Sequence, residues 1–246
     1  MTGIVKVLTD AGCHVVAERG WESRGRELAT VNGIVWHHTA TGPQVADSSV
    51  VRVLRDGRAG IPGPLSQLGL TRDGTWRVIA SGRANHAGRG SWPGLSGNDD
   101  CLGVEAFYSG TSAERWERRQ VDALRVGTAA IARAYDVDPT RSLIGHKEWA
   151  PRRKIDPYGL DMDDERRTVD TIIRGADDMA DYRTEPAIWA RAAWDKAMAA
   201  GILSQDSIPG QPVSYEVLAV LLDRAGVLDG TAPTGGHTHT ATVRLK

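Results

Sequence analysis

With 246 residues, 30 basic and 31 acidic side chains and a net charge of −1, the chain has room for one well-buried domain and a small appendage. The balanced charge leaves no basic field for nucleic acid, and no apolar run approaches the roughly 18–20 residues of a membrane span, so neither nucleic-acid binding nor membrane insertion is expected. Met1–Val7 carries neither a charged start nor a long apolar stretch, which predicts synthesis in the cytoplasm without a signal peptide.

In chain order, a short helix is predicted from Gly3 to Ala11, closed by Gly12. A β-type segment at His14–Val16 and a loop at Gly20–Gly25 follow. Gly33–His37 reads as a strand, and the next helix is capped by Asp47 and stopped at Gly57. The Gly/Pro-rich bend Gly60–Pro64 leads to a hairpin, Leu68–Leu70 and Trp76–Ala80, turning at Arg72-Asp73-Gly74. Thr111 and Glu114 form a capping-box pattern ahead of an amphipathic helix carrying Val121, Leu124, Thr128, Ile131 and Tyr135. Asp138-Pro139 ends it, and Leu143-Ile144 is a buried strand. A last catalytic-domain helix starts at Asp163–Glu165 with Val169, Ile172 and Ile173 on its core face. Strands interleaved with helices predict an α/β fold with a central β-sheet flanked by helices. Cys13 and Cys101 lack any C-x-x-C neighbour and read as reduced, small apolar residues.

Composition changes near Asp181–Glu185. The predicted division is a catalytic domain at 1–180, a linker at 181–186, a small helical unit at 187–229 and a flexible tail at 230–246 that contains His237 and His239. The helical unit reads equally as an appended binding module and as a hairpin docked on the larger domain, since one short helical pair buries little core by itself.

The chemistry concentrates in Gly145-His146-Lys147-Glu148-Trp149-Ala150-Pro151-Arg152-Arg153-Lys154-Ile155-Asp156-Pro157. Pro151 and Pro157 make this a turn-rich segment rather than a helix interior. Imidazole and carboxylate are strong zinc ligands, and Lys154 places a cation two residues before Asp156. A catalytic zinc needs a third protein ligand, and the apolar run Ile34-Val35-Trp36 delivers histidines, His37 and His38, at its end.

Three ordered blocks carry a family resemblance: Trp36-His37-His38-Thr39-Ala40; Asn85-His86-Ala87-Gly88 through Ser91-Trp92 to Asn98–Glu105; and Gly145-His146 to Asp156-Pro157. Together, over roughly residues 30–160, they resemble the zinc-dependent N-acetylmuramoyl-L-alanine amidases, a group that includes phage endolysins, bacterial cell-wall amidases and peptidoglycan recognition proteins. The resemblance implies a mixed sheet flanked by helices, a zinc ion on His37, His146 and Asp156, and acid–base work by Glu105. Lys154 is implied beside the developing oxyanion, with His86, Trp92 and Asn98 as candidate substrate contacts. Some phage members carry a tyrosine where this chain has Leu65-Ser66-Gln67-Leu68, so Glu105 takes the acid–base role and Ser66 none. The implied function is hydrolysis of the amide between N-acetylmuramic acid and L-alanine in peptidoglycan, by a monomeric endolysin. A non-catalytic peptidoglycan-binding module and an intracellular muropeptide-recycling amidase are the alternatives.

Overall fold

A computed structural model describes residues 1–181 of the chain, and a first compact unit spans Met1–Arg174. The linker, helical unit and tail expected beyond it, with His237 and His239, lie outside the described residues.

Helix α1 (Ile4–Asp10) buries Ile4 and Leu8, and Gly12 follows it at φ +77°, a left-handed turn that releases the chain into β1 (Val15–Ala17). A 3₁₀ turn at Trp21–Ser23 precedes β2 (Gly33–His38), whose residues are buried up to His37. Helix α2 (Asp47–Asp56) has Ala46 rather than the expected Asp47 at its N-cap, with Asp47 in its first turn, and stops at Gly57, which has φ +92°. The Gly/Pro bend holds a small antiparallel pair, β3 (Gly57–Arg58) and β4 (Ile61–Pro62). The predicted hairpin is present as β5 (Leu68–Leu70) and β6 (Trp76–Val78). Strand β7 (Cys101–Ala106) follows a 3₁₀ turn at Gly97–Asp99.

Helix α3 (Arg118–Ala134) starts four residues beyond Glu114, and its N-cap residue, Glu117, makes no side-chain cap. The capping box expected at Thr111 and Glu114 does not form, because Glu114 is drawn elsewhere: Arg72 Nε donates to its Oε1 at 2.6 Å and the Ser109 amide to its Oε2 at 2.6 Å. Asp138 accepts from the Thr140 amide and caps a single turn, α4 (Pro139–Ser142), with Pro139 in the first turn, where its missing N–H costs nothing. Strand β8 (Leu143–Gly145) runs into α5 (His146–Trp149), one helical turn in the segment read from sequence as turns alone. Pro151 confines it to that turn. Helix α6 spans Met162–Asp181.

Six strands form one mixed sheet in the order β1-β6-β5-β7-β2-β8, in which β5–β6 is the antiparallel pair and the other pairs are parallel. A strand paired in parallel on both sides is covered on both faces, which explains why β2 reads as a nearly continuous apolar run. Ile34, Trp36, Leu102, Val104 and Leu143 join Ile4 and Leu8 of α1, Leu124 and Ile131 of α3 and Val169 of α6 in one core. Trp36 Nε1 donates to Thr128 Oγ1 at 3.0 Å, so its single polar atom is satisfied inside that core. Val35, Cys101 and Ile144 belong to a second cluster with Ala87, Trp149 and Ala150.

Candidate active site

Parallel register puts the chemistry in one row. His37 of β2 pairs with Glu105 of β7, and Trp36 pairs with Gly145, so His146 emerges from β8 beside His37. The α5 turn that carries His146 is pinned by Glu148, whose Oε2 accepts from the Gly145 amide at 2.8 Å. Arg166 of α6 bridges Glu148, at 2.8 and 3.0 Å. Asp156 arrives from the loop after α5, and that loop is tied back where the Lys147 amide donates to the Asp156 carbonyl at 2.7 Å. His38 points away from His37, as alternation requires, and its Nδ1 accepts from the Tyr158 amide at 3.1 Å. It therefore anchors the far side of the same loop.

His37, His146 and Asp156 are all buried and converge. His37 Nδ1 lies 2.8 Å from His146 Nδ1 and 3.1 Å from Asp156 Oδ2, and His146 Nδ1 lies 2.9 Å from the same oxygen. Burial pushes the His37 imidazole down to about 4, only partly offset by Asp156, so it is neutral at pH 7. Burial alone would raise Asp156, but its contacts with the His146 and His37 rings outweigh it and hold the carboxyl far below its usual range. His146 Nε2 lies 2.8 Å from the Ala87 carbonyl, which can only accept, so that nitrogen carries a hydrogen and leaves Nδ1 as the atom facing His37 and Asp156. Two imidazole nitrogens and one ionised carboxylate aimed at one another suit a divalent metal ion.

Glu105 is the second unusual group. Its Oε2 is sealed from solvent and has no hydrogen-bond partner among the described residues. Burial, reinforced by the negative charge of Asp156 and opposed by Lys154 and Arg58, pushes its carboxyl up to about 8. Both Glu105 and the half-buried Lys154 line a cleft of about 1050 Å³ together with His86, Asn98, His146 and Asp156. Arg26, Arg52, Arg58 and Arg153 also border it, giving the cleft a cationic rim.

Of the three expected substrate contacts, His86 and Asn98 line the cleft and Trp92 does not. Trp92 does not line the cleft: its indole N–H donates to the Arg141 carbonyl at 2.7 Å, its ring packs on the Val35–Ile144 cluster, and the Arg166 guanidinium lies 5.7 Å from the ring centre. It is a loop anchor. Asn98 and His86 do border the cleft, but Asn98 Oδ1 accepts from the His86 and Ala87 amides at 3.0 and 2.8 Å. Both ring nitrogens of His86 face protein atoms, His37 Nε2 and the Cys101 carbonyl, each at 3.1 Å. Ser66 is fully buried, with its hydroxyl between the Leu68 and Gly103 carbonyls, and takes no part in the cleft. Arg153 was not singled out from sequence. Its Nη2 donates to the Ala87 carbonyl at 3.1 Å and to the Arg89 carbonyl, closing the His86 loop onto the segment that carries Asp156. The arginine pair before Lys154 was the only sequence signal for it.

Residues 27–159 match the family profile described as N-acetylmuramoyl-L-alanine amidase. The chain belongs to this family. The match contains every residue of the row and the cleft's acid, so the enzyme is an N-acetylmuramoyl-L-alanine amidase, acting on peptidoglycan. No curated protein matches the chain. Among solved structures, the amidase LysCS, an endolysin from Clostridium intestinale, is 18% identical, covers 63% of this chain and 95% of its own, and superposes with a TM-score of 0.47. The endolysin of Thermus scotoductus bacteriophage Ph2119 is 20% identical over 63% of this chain and 99% of its own, with a TM-score of 0.46. AmpDh3 from Pseudomonas aeruginosa is 17% identical over 86% of this chain and 88% of its own, with a TM-score of 0.48. Among the described residues of the amidase, no helix is long and apolar enough to cross a membrane.

Proposed function

We propose that the amidase is zinc-dependent, with the metal held by His37, His146 and Asp156, and that it serves as an endolysin that opens the wall by cutting between N-acetylmuramic acid and L-alanine. The observation that carries the metal assignment is the convergence of two imidazole nitrogens and a carboxylate oxygen within 2.8–3.1 Å of one another in a buried site. Zinc in such a set supplies a Lewis acid and a water activated at neutral pH.

The chain's own groups do the rest. Glu105, directly across the ladder from His37, accepts the proton of the attacking water and returns it to the amine that leaves. A carboxyl pushed up toward 8 in the metal-free protein is drawn lower by a neighbouring dication, toward the range useful to an acid–base group at pH 7. Lys154, on the cleft wall before Asp156, steadies the negative charge that builds on the carbonyl oxygen. Arg26, Arg52 and Arg58 on the rim favour a substrate whose peptide carries carboxylates. The endolysin role rests on the block resemblance and on the considerable length of chain beyond the matched residues 27–159, room for a wall-targeting unit.

Elemental analysis is expected to find one zinc per chain, with chelation abolishing peptidoglycan hydrolysis. Mass spectrometry of digested walls should show free L-alanine amino termini on the released peptides. Active protein without stoichiometric metal would end the zinc assignment, and turnover confined to small soluble muropeptides would end the endolysin role.

A further inference from the structure

His86 sits at the base of the Asn85–Gly88 loop, buried, and its ring rests on the backbone of β7. A Cβ built on Gly103 would approach His86 Cγ to 2.6 Å, so glycine is what lets the ring lie there. The ring meets His37 edge to face, with centroids 5.2 Å apart and planes at 81°. On one side its Nε2 is 3.1 Å from the Cys101 carbonyl, and on the other its Nδ1 is 3.1 Å from His37 Nε2.

Only one proton arrangement satisfies both contacts. A carbonyl oxygen accepts and never donates, so His86 Nε2 carries a hydrogen. A neutral imidazole has just one, so His86 Nδ1 is a lone pair and the hydrogen between the two rings belongs to His37 Nε2. His37 Nδ1 is therefore bare and faces His146 Nδ1 and Asp156 Oδ2. A doubly protonated His86 would put a second cation against the metal-binding set without a carboxylate in contact, which burial disfavours.

We propose that His86 is a positioning residue that holds His37 in its metal-ready tautomer through the chain His37 Nε2–H, His86 Nδ1, His86 Nε2–H, Cys101 carbonyl. The device is needed because Asp156, 3.1 Å from His37 Nδ1, favours the opposite tautomer, with the hydrogen on Nδ1 where a metal would bind. His146 has the same problem at 2.9 Å and the same kind of answer, donation from Nε2 to the Ala87 carbonyl. Two consecutive residues, 86 and 87, thus set both imidazoles, and Asn98 grips both of their amides. This assignment rests on the metal reading above, but its first test does not need metal.

Long-range proton–nitrogen NMR of the metal-free, full-length protein at neutral pH should show hydrogen on Nε2 of both His37 and His86. Finding it on His37 Nδ1 would overturn the proposal. Zinc and cobalt affinities, measured by competition with a chelator, should fall by roughly 10–100-fold in His86→Phe, which keeps a ring but cannot accept. His86→Gln, whose amide oxygen can accept from His37, should recover part of that loss. Unchanged affinity in folded His86→Phe would overturn the proposal. If that variant does not fold, Gly103→Ala, which must push the ring off β7, should weaken metal binding in its place, and unchanged affinity there counts against His86. A wild-type protein that binds neither metal would sink the zinc assignment alone, since the tautomer measurement still decides the His86 contact.

Discussion

Strands β2 and β7 present two surfaces built on opposite terms. Ile34, Trp36, Leu102 and Val104 point toward α1, α3 and α6 and are fully buried among other apolar side chains. On the other face the same strands carry His37, Gly103 and Glu105, and there burial works against the chemistry of the groups it covers, pushing His37 down to about 4 and Glu105 up to about 8. One face lowers free energy by excluding water, while on the other burial disfavours the charged forms of the groups it covers. The two-residue period of a strand is what lets adjacent positions serve such different ends.

Substitutions should separate the faces cleanly. His37→Ala is expected to reduce amidase turnover to background and to remove stoichiometric zinc, yet to leave the metal-free protein folded by circular dichroism. Glu105→Gln should keep metal content while kcat falls by roughly 10²–10⁴; near-normal turnover would take Glu105 out of the mechanism. Leu102→Ala, on the apolar face, should cost about 2–5 kcal/mol in denaturant unfolding with kcat per folded molecule unchanged. A fall in kcat there, at temperatures where the variant stays folded, would mean the faces are coupled.

A smaller effect tests the strain on the polar face directly. Because the Glu105 carboxyl is raised in the metal-free protein, its contribution to stability is complete below about 4.5 and is lost as pH rises through about 8. Glu105→Gln removes that loss, so in chelator the variant's melting temperature should overtake that of the wild type across this window and stay above it at pH 9. Each kcal/mol relieved corresponds to roughly 2–4 °C. Parallel curves would mean the carboxyl is not held in a hostile site. Smallest of all, Trp92→Phe should lose about 0.5–1.5 kcal/mol through the missing bond to the Arg141 carbonyl and leave kcat/KM unchanged.

Much of this was readable from sequence where local pattern and long-range pairing agree. The β2 strand ending in His37, the β5–β6 hairpin and the α2 stop at Gly57 all follow from periodicity and glycine chemistry over a few residues. Three blocks in a fixed order pointed to His37, Glu105, His146 and Asp156, which the fold brings together, although spacing alone left His37 and His38 equal. What stayed hidden depends on partners distant in sequence. Glu114 looks like a capping residue until Arg72, 42 residues away, captures it. Trp92 is a candidate substrate contact in the sequence, while in the fold Arg141 and Arg166 lie against its edge and face. The edge pairing of β1 with β6 in parallel likewise has no local signal.

The position of β2 between β7 and β8 also bears on how the molecule is made. Both of its neighbours are synthesised well after it, so a nascent chain carries this apolar strand unpaired until β7 has been made and half-paired until β8 follows. Non-local parallel pairing of this kind is slow and exposes sticky edges while it waits. The last member of the row, Asp156, emerges later still, so a chain still on the ribosome has no functioning site until its sheet is nearly complete.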